Sequence, residues 1–262
     1  MTQPLRAAAA VAATVAVALA SCAAGPGSRP DTAPSTDAAS ATVTVFAAAS
    51  LTEAFDELAE RFEAEHPLIE VVLNSGGSAA LARQIIEGAP ADVFAAAAEP
   101  PMQAVIDAGL ASDVAVFATN TLELVVPAGN PAGVTGLDDL ARPELRVALC
   151  DASVPCGTAS AALLEQQGVV ASADTLEADV KAVLTKLVLG EVDAALVYRT
   201  DVIAARDTVE GIEVRGAASV VNRSPIAAMT DAAAPDAAAD FVAFVTGPDG
   251  RGVLGDAGFG AL

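Results

Sequence analysis

Thr42-Val43-Thr44-Val45-Phe46-Ala47-Ala48 is followed by Ser50 and then by Leu51 to Glu65, a stretch in which Leu51, Phe55, Leu58 and Phe62 recur at helical spacing. The first run reads as a buried strand, and the second as a helix with one apolar face. Working outward, Ile69 to Asn74 reads as a second strand and Ala79 to Glu87 as a helix closed by Gly88. Asp92 to Ala96 reads as a third strand, and Pro101 to Ala108 as a helix ended by Gly109. Strand, helix, strand, helix, strand in that order implies a mostly parallel sheet covered by helices.

A second alternating series follows. Thr121 to Val126 is expected to be a strand, and Pro127-Ala128-Gly129-Asn130-Pro131 a turn-rich link. Strands are expected at Leu145–Leu149 and Val192–Tyr198, with helices at Thr158–Gln167 and Leu176–Leu189. Pro225–Met229 is a late strand and Ala234–Val245 a final helix. A late strand after the second unit suggests that the chain crosses twice between two α/β lobes. The expected division is lobe 1 at 42–122 plus 222–262 and lobe 2 at 123–221.

The N-terminus reads as an address. Arg6 precedes an apolar run from Ala7 to Ala20, too short to span a bilayer, which takes about twenty residues. Leu19-Ala20-Ser21-Cys22 resembles a bacterial lipoprotein processing box. That resemblance implies a signal peptide at 1–21, lipid on Cys22 and a membrane-anchored, extracytoplasmic protein. Residues 22–41 are rich in Pro, Gly, Ser, Thr and Ala, have little to bury, and are expected to form a disordered tether.

Composition removes several classes of function. Across 262 residues, 34 acids oppose 13 Lys and Arg, a formal charge of -21. Nucleic acid and anionic membrane surfaces need clustered cations, so both are excluded as partners. One His and three Cys are too few soft ligands for a zinc site. In an exported protein, Cys150 and Cys156 suggest a disulfide, with two free buried thiols as the alternative.

The candidate chemistry lies where strands hand over to helices, the edge at which open α/β sheets bind ligands. Ser50-Leu51-Thr52-Glu53 has the pattern of a capping box, and by itself reads as a helix cap. Asn74-Ser75-Gly76-Gly77-Ser78 repeats the geometry, with two glycines able to form an anion nest. No Gly-Lys-Ser/Thr follows, so it is not a nucleotide P-loop. Pro155-Cys156-Gly157-Thr158 joins a strand to a helix and offers further free N–H groups, and Ala178-Asp179-Val180-Lys181 lies near a helix start or bend. Tyr198, the only tyrosine, ends a strand, where it serves equally well as an amphipathic plug. Asp201, Arg199 and the many helical acids read as solvated or structural groups.

These motifs together resemble the periplasmic molybdate-binding proteins of ABC transporters. The similarity rests on Phe46 to Phe55, Ser75 to Ile85, Gly88 to Phe94, Val154 to Gly157, Lys181 to Tyr198 and Ser224 to Ala227, and it covers nearly everything after the tether. It implies a two-lobed type II solute-binding fold, each lobe a mostly parallel sheet flanked by helices and joined by two crossover strands. It also implies a molybdate or tungstate ligand, an ABC permease with its ATPase as partners, no cofactor, no directly bound metal and a monomer. Carried across by motif, the ligand-binding groups are the hydroxyls of Ser50, Ser78 and Tyr198 and the amides of Cys156 and Val180. Alanine is common in the family where Cys156 stands here.

An unprotonated dianion presents only acceptors, so a neutral cavity of donors suits it. Hydrogen bonds to a charged partner contribute about 1.5–3 kcal/mol each. Protonated phosphate would need a carboxylate acceptor, for which Asp179 and Asp151 are the candidates by sequence position. Sulfate matches in charge and shape but is smaller, so a receptor for another such oxyanion is one alternative. An exported hydrolase is another. It finds little support, since there is no G-x-S-x-G elbow and the single His66 lies in Glu65-His66-Pro67, expected to be an exposed helix-ending loop.

Overall fold

The first strand of the computed structural model, β1 (Ala41–Ala48), lies between its sequence successor and a later strand. The structure describes residues 40–262; the expected signal peptide, Cys22, and all but the last two residues of the expected tether lie outside the described residues. β1 pairs in parallel with β2 (Ile69–Gly76) on one side and with β3 (Val93–Ala95) on the other. Between them run α1 (Thr52–Glu65) and α2 (Ser78–Ile86), and α3 (Glu99–Asp107) follows β3. Parallel neighbours force each connection to cross a sheet face, which is why helices cover both sides.

β4 (Ala115–Pro127) is thirteen residues long, and the expected strand Thr121–Val126 is only its second half. Its first half pairs antiparallel with β9 (Val221–Ala228), which in turn pairs with β3. Its second half pairs with β7 (Ala194–Tyr198) and β8 (Val209–Ile212). β7 then continues in parallel to β5 (Val147–Cys150) and β6 (Thr175–Glu177). The order β2-β1-β3-β9-β4-β7-β5-β6 therefore holds two parallel groups joined through the antiparallel pair β4 and β9, a two-lobed α/β fold.

Side-chain packing follows the sheet. Phe55, Leu58 and Phe62 of α1 meet Phe241 of α7 (Pro235–Thr246) and Val253 of α8 (Pro248–Asp256) on one face of the first group. Phe46, Leu81, Phe94 and Met102 fill the opposite face. In the second group, β5 and β7 are packed by Leu163 of α4 (Pro155–Gln167) and by Val183 and Leu187 of α5 (Val180–Val188).

The structure departs from expectation in other elements too. The expected helix Leu176–Leu189 is two elements, because Thr175–Glu177 pairs with β5 and Asp179 then caps α5, its Oδ1 accepting from the Ala182 N–H at 2.9 Å. The helix Ala234–Val245 is not the last, since Gly247 breaks the chain and α8 follows. Neither α6 (Arg199–Ala204) nor β8 was expected; both are short and take their place from packing against β4. Ser50 does not cap α1: Ala49–Leu51 form a 3-10 turn, and α1 starts at Thr52 without a side-chain cap. Gly88 and Gly109 do end their helices, at φ of 96° and 78°, where only glycine is unstrained.

Candidate functional site

Four helical N-termini point at one small cavity. It is lined by Ala48, Ala49 and Ser50 at the 3-10 turn, Gly77 and Ser78 at α2, Pro155 and Cys156 at α4, and Ala178, Asp179 and Val180 at α5, together with Ala97 and Tyr198. The free space within is about 20 Å³, a little more than the roughly 10–15 Å³ that the centre of a single water requires. Each helix start leaves its first N–H groups without an intrahelical partner and carries a partial positive charge. At α4 the first helical residue is Pro155, so Cys156 supplies the first free N–H. At α5 the Asp179 side chain takes the Ala182 N–H, which leaves that of Val180 free of it.

All five residues singled out from the sequence (Ser50, Ser78, Cys156, Val180 and Tyr198) line this cavity. Ser50, Ser78 and Tyr198 are buried. Ser78 Oγ accepts from the Ala97 N–H at 3.0 Å, which leaves its proton for another acceptor. Tyr198 Oη accepts from Asn222 Nδ2 at 2.8 Å, with the same consequence. Burial raises the pKa of the Tyr198 phenol, the negative charge of Asp201 raises it further, and the Asn222 bond opposes both only in part. The phenol stays protonated and can donate.

Among the described residues, no Lys or Arg side chain lines the cavity. Lys181, one residue beyond Val180, turns its ammonium away to Glu53 on α1, 2.7 and 2.8 Å from the two carboxylate oxygens, and to Asp201, 3.0 Å away. Burial works against its positive charge, but Asp201 and Glu53 outweigh burial and raise its pKa. Asp201 is fully buried beneath it rather than solvated, contrary to one of the two sequence readings. Burial pushes the Asp201 carboxyl up to about 6, although Lys181 and the Tyr198 N–H pull the other way. Glu53 thus spends its charge on a residue of α5, not on a capping box at α1.

The two candidate acceptors differ. Asp151 is not part of the lining; its Oδ1 accepts from the Ser153 N–H at 2.9 Å, and the two Ser153 bonds hold its pKa below the usual carboxylate range. Asp179 does line the cavity but folds back on α5. Cys150 and Cys156 are joined by a disulfide, their Cα atoms 5.7 Å apart, which ties the start of α4 to the end of β5. His66 lies at the C-terminal end of α1, half-buried and stacked on Phe62 at 4.2 Å, so the expectation of a freely exposed side chain is not met. Among the described residues, no group of three or more His, Cys, Asp or Glu could hold a metal ion.

Residues 43–260 match the family described as bacterial extracellular solute-binding protein. The chain belongs to that family. As one of these solute-binding proteins it is a binder, not an enzyme, which removes the hydrolase alternative, and it works outside the cytoplasm. No helix among the described residues is long and apolar enough to cross a membrane. A curated relative, the molybdate-binding protein ModA of Mycobacterium tuberculosis, is 41% identical over 218 residues, 83% of this chain and 84% of that protein. Among solved structures, the Azotobacter vinelandii periplasmic molybdate-binding protein is similar at a TM-score of 0.71 and 22% identity, covering 83% of this chain and 98% of that one. The sulfate-binding protein SubI from Mycobacterium tuberculosis is similar at 0.73 and 20% identity, covering 85% and 87%. These two likenesses carry the fold alone.

Sequence reasoning passed over Ala97 and Asn222. Asn222 Nδ2 also faces the Ala97 carbonyl at 3.3 Å, so one backbone residue and one amide connect the Ser78 and Tyr198 hydroxyls. No local signal marks either residue, because these contacts join positions 19 to 125 apart in the chain.

Proposed function

We propose that this solute-binding protein captures molybdate, and tungstate by the same chemistry, for an ABC importer. The dianion is held by the hydroxyls of Ser50, Ser78 and Tyr198 and by the amides of Cys156 and Val180. The observation that carries this reading is the convergence of uncharged donors and four helical N-termini on a cavity whose lining, among the described residues, holds no cationic side chain. An unprotonated tetrahedral dianion is the partner such a set can satisfy completely. The 41% identity to a protein named for molybdate binding supports the choice of ion. Lobe 1 is assigned to 42–122 plus 222–262 and lobe 2 to 123–221, so the ligand sits between them. Lipid on Cys22 holds the protein to the outer face of the membrane, where as a monomer, without a cofactor, it hands its cargo to the permease and ATPase.

Calorimetric titration of the purified chain tests the reading. Molybdate and tungstate are expected to bind, and a large excess of sulfate should not displace them. Sulfate binding in preference to both would make the protein a sulfate receptor instead. No binding of any of the three would remove the proposal.

A further inference from the structure

We infer that Asn222 is a positioning residue for the anion site: its side-chain N–H fixes which way the Tyr198 hydroxyl points, and so makes that hydroxyl a donor to the ligand. The inference rests on the proposed oxyanion reading of the cavity and adds a residue that does not touch the ligand.

Asn222 is buried on β9, the strand that leads back from the second parallel group to the first. The side-chain atom facing the Ala97 carbonyl at 3.3 Å must be the nitrogen, since a carbonyl only accepts. That same nitrogen lies 2.8 Å from Tyr198 Oη, so the phenol oxygen is the acceptor there. A phenol has one proton and prefers to keep it in the ring plane, on one side or the other. With the Asn222 N–H on one side, the proton takes the other, toward the cavity that Tyr198 lines. Ala97 does the same for Ser78, its N–H occupying the serine oxygen. Ala97 and Asn222 together orient hydroxyls from β7 and α2 before any ligand arrives. Preorganised donors cost less to engage than hydroxyls that must first turn.

A double-mutant cycle on the full chain tests the inference, read by calorimetric titration with molybdate, tungstate and sulfate. Asn222→Leu keeps a branched shape without the donor and is expected to weaken binding of the preferred ion by about 5- to 10-fold, and Tyr198→Phe by about 10-fold or more. The double variant should bind within about twofold of Tyr198→Phe alone, because a phenylalanine has no proton to direct. Asn222→Ala carries the same cycle should the leucine variant fail to fold. Losses that multiply overturn the inference, since they would mean that Asn222 only supports Ala97 and the local packing. Wild-type affinity in Asn222→Leu overturns it as well, while leaving the oxyanion reading intact. A wild-type chain that binds none of the three ions overturns both.

Discussion

Gly77, at the start of α2, lies against the chain that leads into α5, and a methyl group there would lie 2.7 Å from the Ala178 carbonyl oxygen. Neither partner can give way easily, because the obstacle is backbone. Gly77→Ala should therefore hold the start of α2 away from the start of α5 and widen the cavity. Affinity for molybdate is expected to fall by about tenfold or more, while the melting temperature without ligand changes little. Unchanged affinity would show that the approach is not needed for binding. Ser78→Ala acts differently, since it deletes one donor and leaves the buried Ala97 N–H without its partner. A loss of roughly 10- to 100-fold is expected in the same titration, with some loss of stability as well. Ser50→Ala removes a hydroxyl that has no hydrogen-bond partner among the described residues, so its effect should fall on affinity alone.

Among the elements, α4 begins inside a covalent loop. The Cys150–Cys156 disulfide closes it, and a Cβ on Gly157 would run into the Asp151 carbonyl, so the first turn of α4 is pressed flat against that loop. In the chain-entropy view so short a bridge contributes about 2 kcal/mol. Replacing both cysteines by serine should remove about that much in urea denaturation. It should weaken molybdate binding only a few-fold, because the proposed site uses the backbone N–H of Cys156 and not its sulfur. What was legible in the sequence at this scale follows from local periodicity. β1 and α1 could be read because Leu51, Phe55, Leu58 and Phe62 all face one core. β6 and α5 were merged into one helix because Leu176, an exposed residue on an edge strand, continues the apolar spacing of α5 by chance. The places of Ser50, Ser78 and Cys156 at strand-to-helix junctions and of Tyr198 at a strand end could be read; Val180 fell within an expected helix and entered through the family resemblance, and the role of Glu53 could not be read. Its capping pattern is intact, but Lys181, 128 residues away, claims the carboxylate.

Across the whole molecule, that contact joins α1 to α5 and α6 through one ammonium group. The exposed Glu53 arm is worth little to stability, about 1 kcal/mol or less for such a pair. Asp201 is different, because it is fully buried and, among the described residues, Lys181 is its only cationic partner within salt-bridge distance. Removing one member of a buried pair leaves an uncompensated charge and typically costs about 3–5 kcal/mol. Lys181→Met should accordingly lower the melting temperature by roughly 10 °C at pH 8. The sign of its pH dependence follows from the Asp201 carboxyl, raised in the fold to about 6 from an ordinary 3.8. A folded value above the unfolded one means that the native state takes up a proton first as pH falls through 6. That uptake stabilises the fold relative to the unfolded chain until both are protonated below about 4. Without Lys181 the carboxyl rises further, so the variant gains more from acid than the parent does. The gap in melting temperature between Lys181→Met and the parent should therefore shrink from pH 8 to pH 5, a trend that paired thermal melts would measure. A gap that stays constant would mean that Lys181 acts through packing of its methylene chain, and that Asp201 is neutral already in the parent at pH 8.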